Sequence, residues 1–138
     1  MTSRPSANPI RTLWDRFVGI PAGLTLFSIV LGRLAPYTGS IRPRVLELRE
    51  GYARVAMNDR RAVRNHLNSI HAIALMNLAE VSTGLALHYA LPAHARAILT
   101  KLSIEYVKKA RGRLVAEATA PVPAGVEREE FELETVIT

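Results

Sequence analysis

The chain has 138 residues, no cysteine, 49% apolar and 22% charged residues, and a formal net charge of +6. That length suits one domain with a real core, the composition excludes a disordered or fibrous chain, and the missing cysteine excludes disulfides and thiolate chemistry. The charge is uneven, with 11 arginines against 4 acids in residues 1–64 and one arginine against six glutamates in 114–138, so the basic body suits nucleic acid, anionic lipid or a phosphorylated ligand as well as plain solubility.

Residues 1–9, MTSRPSANP, are rich in Pro and Ser and read as a disordered tail. From Ile10 to Ala35 the pattern predicts two short helices broken at Gly19–Pro21. The apolar run Phe17–Leu31 is shorter than the roughly 20 residues that span a bilayer. Arg4, Arg11 and Arg16 precede it as in a signal peptide, but Trp14 and Asp15 interrupt that pattern and no A-x-A site closes the run. We therefore read residues 1–40 as a tail and a helical cap, with no stable membrane insertion and a cytoplasmic location. Pro36–Ser40 reads as a turn. Two strands follow, Arg44–Glu50 and Tyr52–Asn58, with Gly51 at the bend.

After the charged turn DRRAVR comes the stretch around which the chain is organised, Asn65–Ala90. Apolar residues recur there at 67, 70, 74, 78, 81, 85 and 89, steps of three and four that predict a helix. It is apolar nearly all round and rich in small residues, so it wants burial on almost every side. Glu80 is its one formal charge, and a lone carboxylate in such a helix is expensive. Gly84, one turn on, is expected to face the sheet closely, so that Gly84→Leu would overpack it. Beyond Pro92, Ile98–Lys109 reads as a long strand with Ile98, Thr100, Leu102, Ile104 and Tyr106 on one face, Leu114–Ala120 as another, and Glu127–Thr138 as a third after the loop Pro121–Gly125. Strands segregated from one long helix predict an α+β fold: a central helix wrapped by a curved antiparallel sheet, with an N-terminal helical cap.

That order looks like the hotdog fold, and particular residues carry the resemblance further. Asn65, His71 and Glu80 stand six and nine residues apart, and Leu78–Glu80 reads Leu-Ala-Glu. The segment Ile104–Ala118, IEYVKKARGRLVAEA, has a Tyr ahead of a turn and a Gly. Over residues 41–138 this resembles the hotdog acyl-CoA thioesterases of the phenylacetate-degradation type. The resemblance implies hydrolysis of an acyl-CoA thioester, with coenzyme A as part of the substrate and no other cofactor, in a homodimer or a dimer of dimers. Where that family has two glycines after the His, this chain has Ala72 and Ile73, and the family's serine on the following strand has no clear match near Leu99 and Thr100. The resemblance also implies one more strand, between the last one here and the strand after the helix, so residues 41–138 are expected to be a shortened hotdog domain with exposed sheet edges.

On this reading Glu80 is nucleophile or general base. His71 orients the carbonyl or the water, the backbone N–H groups of Ala72 and Ile73 are oxyanion donors, and Asn65 bonds the thioester or water. Each has a plainer role open to it: a solvent-reaching helix Glu, a buried imidazole bonded to a carbonyl, and a helix N-cap. Lys108, Lys109, Arg111 and Arg113 form the densest basic cluster, for which the resemblance implies a coenzyme A phosphate and the residues alone a solvated turn. Nucleic acid is disfavoured because no aromatics interleave with the cluster, and His66, His88 and His94 lack the paired spacing of a metal site. A non-catalytic hotdog module binding an acyl or CoA ligand, or a protein partner, is the second reading. If His71 and Glu80 lie in one straight helix, they point to opposite sides, so a thioester site must be shared between two copies related by a twofold axis; if the helix begins after His71, the loop can instead fold back within one chain.

Overall fold

A computed structural model describes residues 8–123 and 128–138. The expected tail therefore lies outside the described residues except for Asn8 and Pro9, as do the end of the Pro121–Gly125 loop and Glu127. Asn8 and Pro9 are not tail but the start of a helix. Asn8 caps α1 (Pro9–Phe17) by accepting the Arg11 N–H, and Pro9 sits where a helix needs no N–H. α2 (Gly23–Leu34) follows the predicted break. Trp14 of α1 meets Phe27 of α2 edge to face at 5.0 Å, which fixes the cap on the core. Pro36–Ser40 is more than a turn: α3 (Pro36–Gly39) is one helical turn, set so close to α2 that Gly39 and Gly32 touch through backbone alone.

The hairpin forms as expected, β1 (Arg44–Arg49) and β2 (Tyr52–Met57) joined through Gly51. Gly51 has φ +75, and a Cβ there would stand 2.8 Å from the Ala120 carbonyl oxygen, so the turn needs glycine. β3 (Leu114–Thr119) pairs antiparallel with β2, and β4 (Glu134–Ile137) with β3, giving the order β1-β2-β3-β4. The N–H of Val45 in edge strand β1 is satisfied by Ser28 Oγ of α2 at 2.9 Å, so the cap helix covers part of that edge.

The central helix is α4 (Ala72–Ala90), 19 residues packed across β2, β3 and β4. Small residues are buried on both elements, Ala74, Ala79, Ser82 and Ala86 in α4 and Ala53, Ala116 and Ala118 in the sheet, which lets helix and sheet approach closely. Two expectations are corrected here. The helix begins seven residues later than its periodicity predicts, because the Asn65 side chain folds the preceding segment into a loop and Asn68 takes a positive φ of 56 that no helix accommodates. Nor is α4 buried on every side: Met76, Glu80, Thr83, Gly84 and Leu87 form a half-exposed stripe at helical spacing, away from the sheet. Gly84 lies on it, and a Cβ there would meet only Glu80 Oε1 at 3.9 Å, so the overpacking expected at Gly84 has no neighbour to cause it.

The third correction concerns Ile98–Lys109, which belongs to no ladder among the described residues. The segment lies along α4, with Leu102 and Ile104 half-buried, the Tyr106 hydroxyl donating to the Ala72 carbonyl at 3.0 Å, and the Ala110 carbonyl accepting the Ile70 N–H at 2.8 Å. Ile98 and Val107 are 86% and 92% exposed. Of the face expected to point inward only Leu102 and Ile104 do so, while Ile98, Thr100 and Tyr106 are exposed; alternation marks a possible inner side, and a ladder also needs a neighbouring strand.

Candidate functional site

Glu80 lies two and a half turns into α4 on the half-exposed stripe and lines an open cleft of about 340 Å³. Tyr37 and Thr38 of α3 form one wall, and Leu99 and Leu102 of the extended segment the other; α4 supplies the floor with Ile73, Met76, Asn77 and Glu80. The cleft is mostly apolar, and among the described residues nothing forms an ion pair with Glu80. A carboxylate on such a surface with no ion-pair partner keeps lone pairs free to accept a proton.

Asn77 was not singled out by the sequence. It is buried one turn before Glu80 and lines the same cleft, donating from Nδ2 to the Tyr37 carbonyl at 3.0 Å. That bond ties α3 to α4 and so fixes the cleft wall. Its signal was an amide three residues from the lone acid in an otherwise apolar helix, a spacing that places both on one face.

His71 is the residue that caps α4: its Nδ1 accepts the Ile73 N–H at 3.0 Å. This bond makes Nδ1 the acceptor in the neutral ring and leaves Nε2 carrying the proton, directed outward as a donor. It also engages the Ile73 N–H within the chain. The Ala72 N–H, at the first helical position, has no intrahelical acceptor. His71 does not line the Glu80 cleft. The two residues are separated by about 13 Å of helix rise, and the chain enters the helix through His71 N–H to Val63 O at 2.8 Å, so the preceding loop is held on the hairpin side rather than folded towards Glu80.

Asn65 sits apart from both. Its Oδ1 accepts the N–H groups of Leu67 and Ser69 and contacts Ser69 Oγ at 3.2 Å, so it shapes the loop and is not the helix cap. Lys108, Lys109, Arg111 and Arg113 are all exposed around the Gly112 turn, outside the cleft. That turn is anchored by Asp59, whose Oδ1 accepts Arg64 Nε at 2.6 Å and whose Oδ2 accepts the Gly112 N–H at 2.8 Å. The bond to Arg64 first, then that to Gly112, holds the Asp59 carboxyl below the ordinary value of 3.8. Within one chain, then, the structure brings Glu80 to a cleft and His71 with Ala72 to a helix start, and does not bring the two sets together.

Known structures share this fold. A structural-genomics crystal structure is 37% identical, with a TM-score of 0.70 over 80% of this chain and 74% of that one. A thioesterase family protein from Silicibacter pomeroyi is 16% identical, with a TM-score of 0.61 over 67% of this chain and 68% of that one. The PaaI protein of the phenylacetic acid degradation operon of E. coli is 17% identical, with a TM-score of 0.57 over 85% of this chain and 88% of that one. At such identities the last two establish the fold alone, which is the hotdog fold. No protein of curated function matches the sequence. The profile of the family described as "Domain of unknown function (DUF4442)" matches residues 23–138. The chain therefore belongs to the DUF4442 family and has the hotdog fold.

Proposed function

We propose that the protein is an acyl-CoA thioesterase-like hydrolase in which Glu80 activates water against a thioester carbonyl. The observation that carries this reading is Glu80, without an ion-pair partner among the described residues, on the floor of an apolar cleft. The cleft takes the acyl group. Glu80 removes a proton from water, the oxygen adds to the carbonyl carbon, and the C–S bond breaks with the coenzyme A thiolate leaving. As a nucleophile Glu80 would instead form an anhydride that water then opens. The outward Nε2–H of His71 and the Ala72 N–H polarise the carbonyl oxygen. Asn65 acts by shaping the loop that presents His71. Lys108, Lys109, Arg111 and Arg113 are the side chains for the coenzyme A phosphates.

Because His71 and Glu80 are apart within one chain, the reading requires a homodimer in which each site takes Glu80 from one protomer and His71 from its partner. Complementation tests it. Inactive Glu80→Gln mixed with inactive His71→Ala under subunit exchange regains activity in mixed dimers; a mixture that stays dead while exchange is confirmed refutes the shared site.

A second reading, a non-catalytic module binding an acyl or CoA ligand, is favoured by one observation. The Ile73 N–H is taken by His71, and a Cβ stands at both positions where the related thioesterases have glycine. Hydrolysis of a broad panel of acyl-CoA thioesters, wild type against Glu80→Gln, separates the two. Turnover abolished by Glu80→Gln supports the enzyme; binding of the panel without turnover supports the module.

A further inference from the structure

The cap helices carry a surface that the thioester reading does not use. α2 buries Phe27, Ser28 and Leu31 against the domain, yet its opposite face is also apolar. Ala22, Leu26 and Ile29 are exposed and, with Arg33, follow one another at helical spacing along a single stripe. Val18 and Ile20 extend it through the preceding turn, both about half-exposed. Nothing among the described residues covers this stripe.

Its electrostatic frame is one-sided. Between residues 8 and 46 the only acid is Asp15, which is approached by the Tyr89 hydroxyl at 3.4 Å. Against it stand Arg16 beside the turn, Arg33 within the stripe, and Arg44, whose guanidinium bonds Thr25 Oγ1 on the flank of α2 at 2.8 Å. The occupant of such a face is apolar at its centre and anionic around it. A second copy meeting the stripe face to face would set arginines against arginines, which opposes association. Nucleic acid supplies the anions but nothing to bury Leu26 and Ile29. The boundary of an anionic lipid bilayer supplies both.

We infer that the outer face of α2, with the turn before it, docks this protein on anionic lipid surfaces. No helix among the described residues is long and apolar enough to cross a membrane. α2, 12 residues and about 18 Å long, lies in the interface with Leu26 and Ile29 towards the acyl boundary and the arginines at the headgroups. This docking is independent of the thioester reading.

The test is co-sedimentation of the full chain with vesicles of phosphatidylcholine alone or mixed with phosphatidylglycerol. The expected result is binding to the mixed vesicles that weakens with added salt, and little to the neutral ones. The double variant Leu26→Ser/Ile29→Ser loses the binding. Arg16→Gln and Arg33→Gln each weaken it roughly fivefold, while Val136→Ser, an exposed apolar residue of β4, leaves it unchanged. All these side chains are exposed, and an unaltered circular-dichroism melt checks the fold of each variant. Glu80→Gln binds vesicles like wild type, so failed hydrolysis and failed docking are read separately. No binding to anionic vesicles at low salt overturns the inference, as does binding that survives Leu26→Ser/Ile29→Ser. So does self-association in light scattering that this double variant abolishes, which would assign the stripe to a second copy.

Discussion

Asn8 joins the start of α1 to the end of α4, and its replacement gives a sharp test of how the cap is held. It is 7% exposed; its Oδ1 caps α1 through the Arg11 N–H, and its Nδ2 donates to the carbonyls of Tyr89 and Leu91 at 3.1 and 2.6 Å. Asn8→Ala loses the cap, worth about 1 kcal/mol, and leaves carbonyls at the end of α4 without a donor, worth about 1–2 kcal/mol more. The expected cost is about 2–3 kcal/mol. Asn8→Asp is the discriminating variant. Aspartate caps as well as asparagine and suits a helix N-terminus, so on the terms of α1 alone it is neutral or better. Here it has nothing to donate and faces two carbonyl oxygens at the negative end of α4. We expect Asn8→Asp to cost at least as much as Asn8→Ala at pH 7. Its folded-state pKa is then raised, so the cost is absent below the unfolded value of about 3.9 and becomes complete only above the folded one. Urea midpoints by circular dichroism at several pH values read both variants. An Asn8→Asp chain as stable as wild type at pH 7 would refute the orientation of the amide and the tie to α4.

Three further outcomes are expected. Gly84→Ala raises stability by about 0.5–1 kcal/mol, because the added Cβ meets only Glu80 Oε1 at 3.9 Å and alanine is the better helix former; a lowered melting temperature would show that another protomer covers that stripe. Gly51→Ala costs about 1–3 kcal/mol in a denaturant titration, since it needs a positive φ and collides with the Ala120 carbonyl; an unchanged midpoint would contradict the tight turn. Asp59 has its carboxyl held below 3.8, so its stabilisation is present above that value and is lost as pH falls through the depressed one. Wild type is therefore more stable than Asp59→Asn at neutral pH, the difference closing at strongly acidic pH; a pH-independent difference would rule out the ion pair as its source.

How much of this was legible in the sequence follows from what each signal encodes. The hairpin was, because alternation over Ala53–Met57 meets a glycine at the one place a turn demands it; the face expected to hold Leu46 with Leu48 was not, since a register shift between Val45 and Glu47 buries Val45 with Leu48 instead. The core of α4 was, because burial against a sheet imposes a period that small residues sharpen. The start of α4 was not: Leu67 and Ile70 continue that period by chance of spacing, while the loop depends on Asn65 bonding residues two and four along, a choice open to Asn that periodicity does not register. The strand expected at Ile98–Lys109 failed for a different reason. Of its expected inward residues only Leu102 and Ile104 turned to the core, and pairing belongs to a neighbour and is not written in the segment itself. Glu80 was found by its isolation among apolar residues. Its cleft was not, since Tyr37, Leu99 and Leu102 come from segments that only the fold brings beside it.

The bonds from Asp59 to Gly112 and from Ile70 to Ala110 have a consequence for how the protein folds. They join positions 53 and 40 residues apart, so the chain leaves the end of β2, runs out along α4, turns at Pro92–Ala95, where the Pro92 carbonyl accepts the Ala95 N–H, and returns to the place it left. The β1–β2 hairpin closes locally, but the seam between β2 and β3 closes only when this excursion is complete. Bringing together ends 53 residues apart costs about 3.5 kcal/mol in the length-dependent part of the chain entropy, and no contact across the seam repays it beforehand. Closure of that seam is therefore expected late in folding, with a mutation at the Asp59–Gly112 contact speeding unfolding more than it slows folding. Yet the cost grows only logarithmically, by about 0.6 kcal/mol for each doubling. An insertion at the Pro92–Ala95 turn leaves the seam almost indifferent, which makes that turn the place where the chain can gain length at least expense to its sheet.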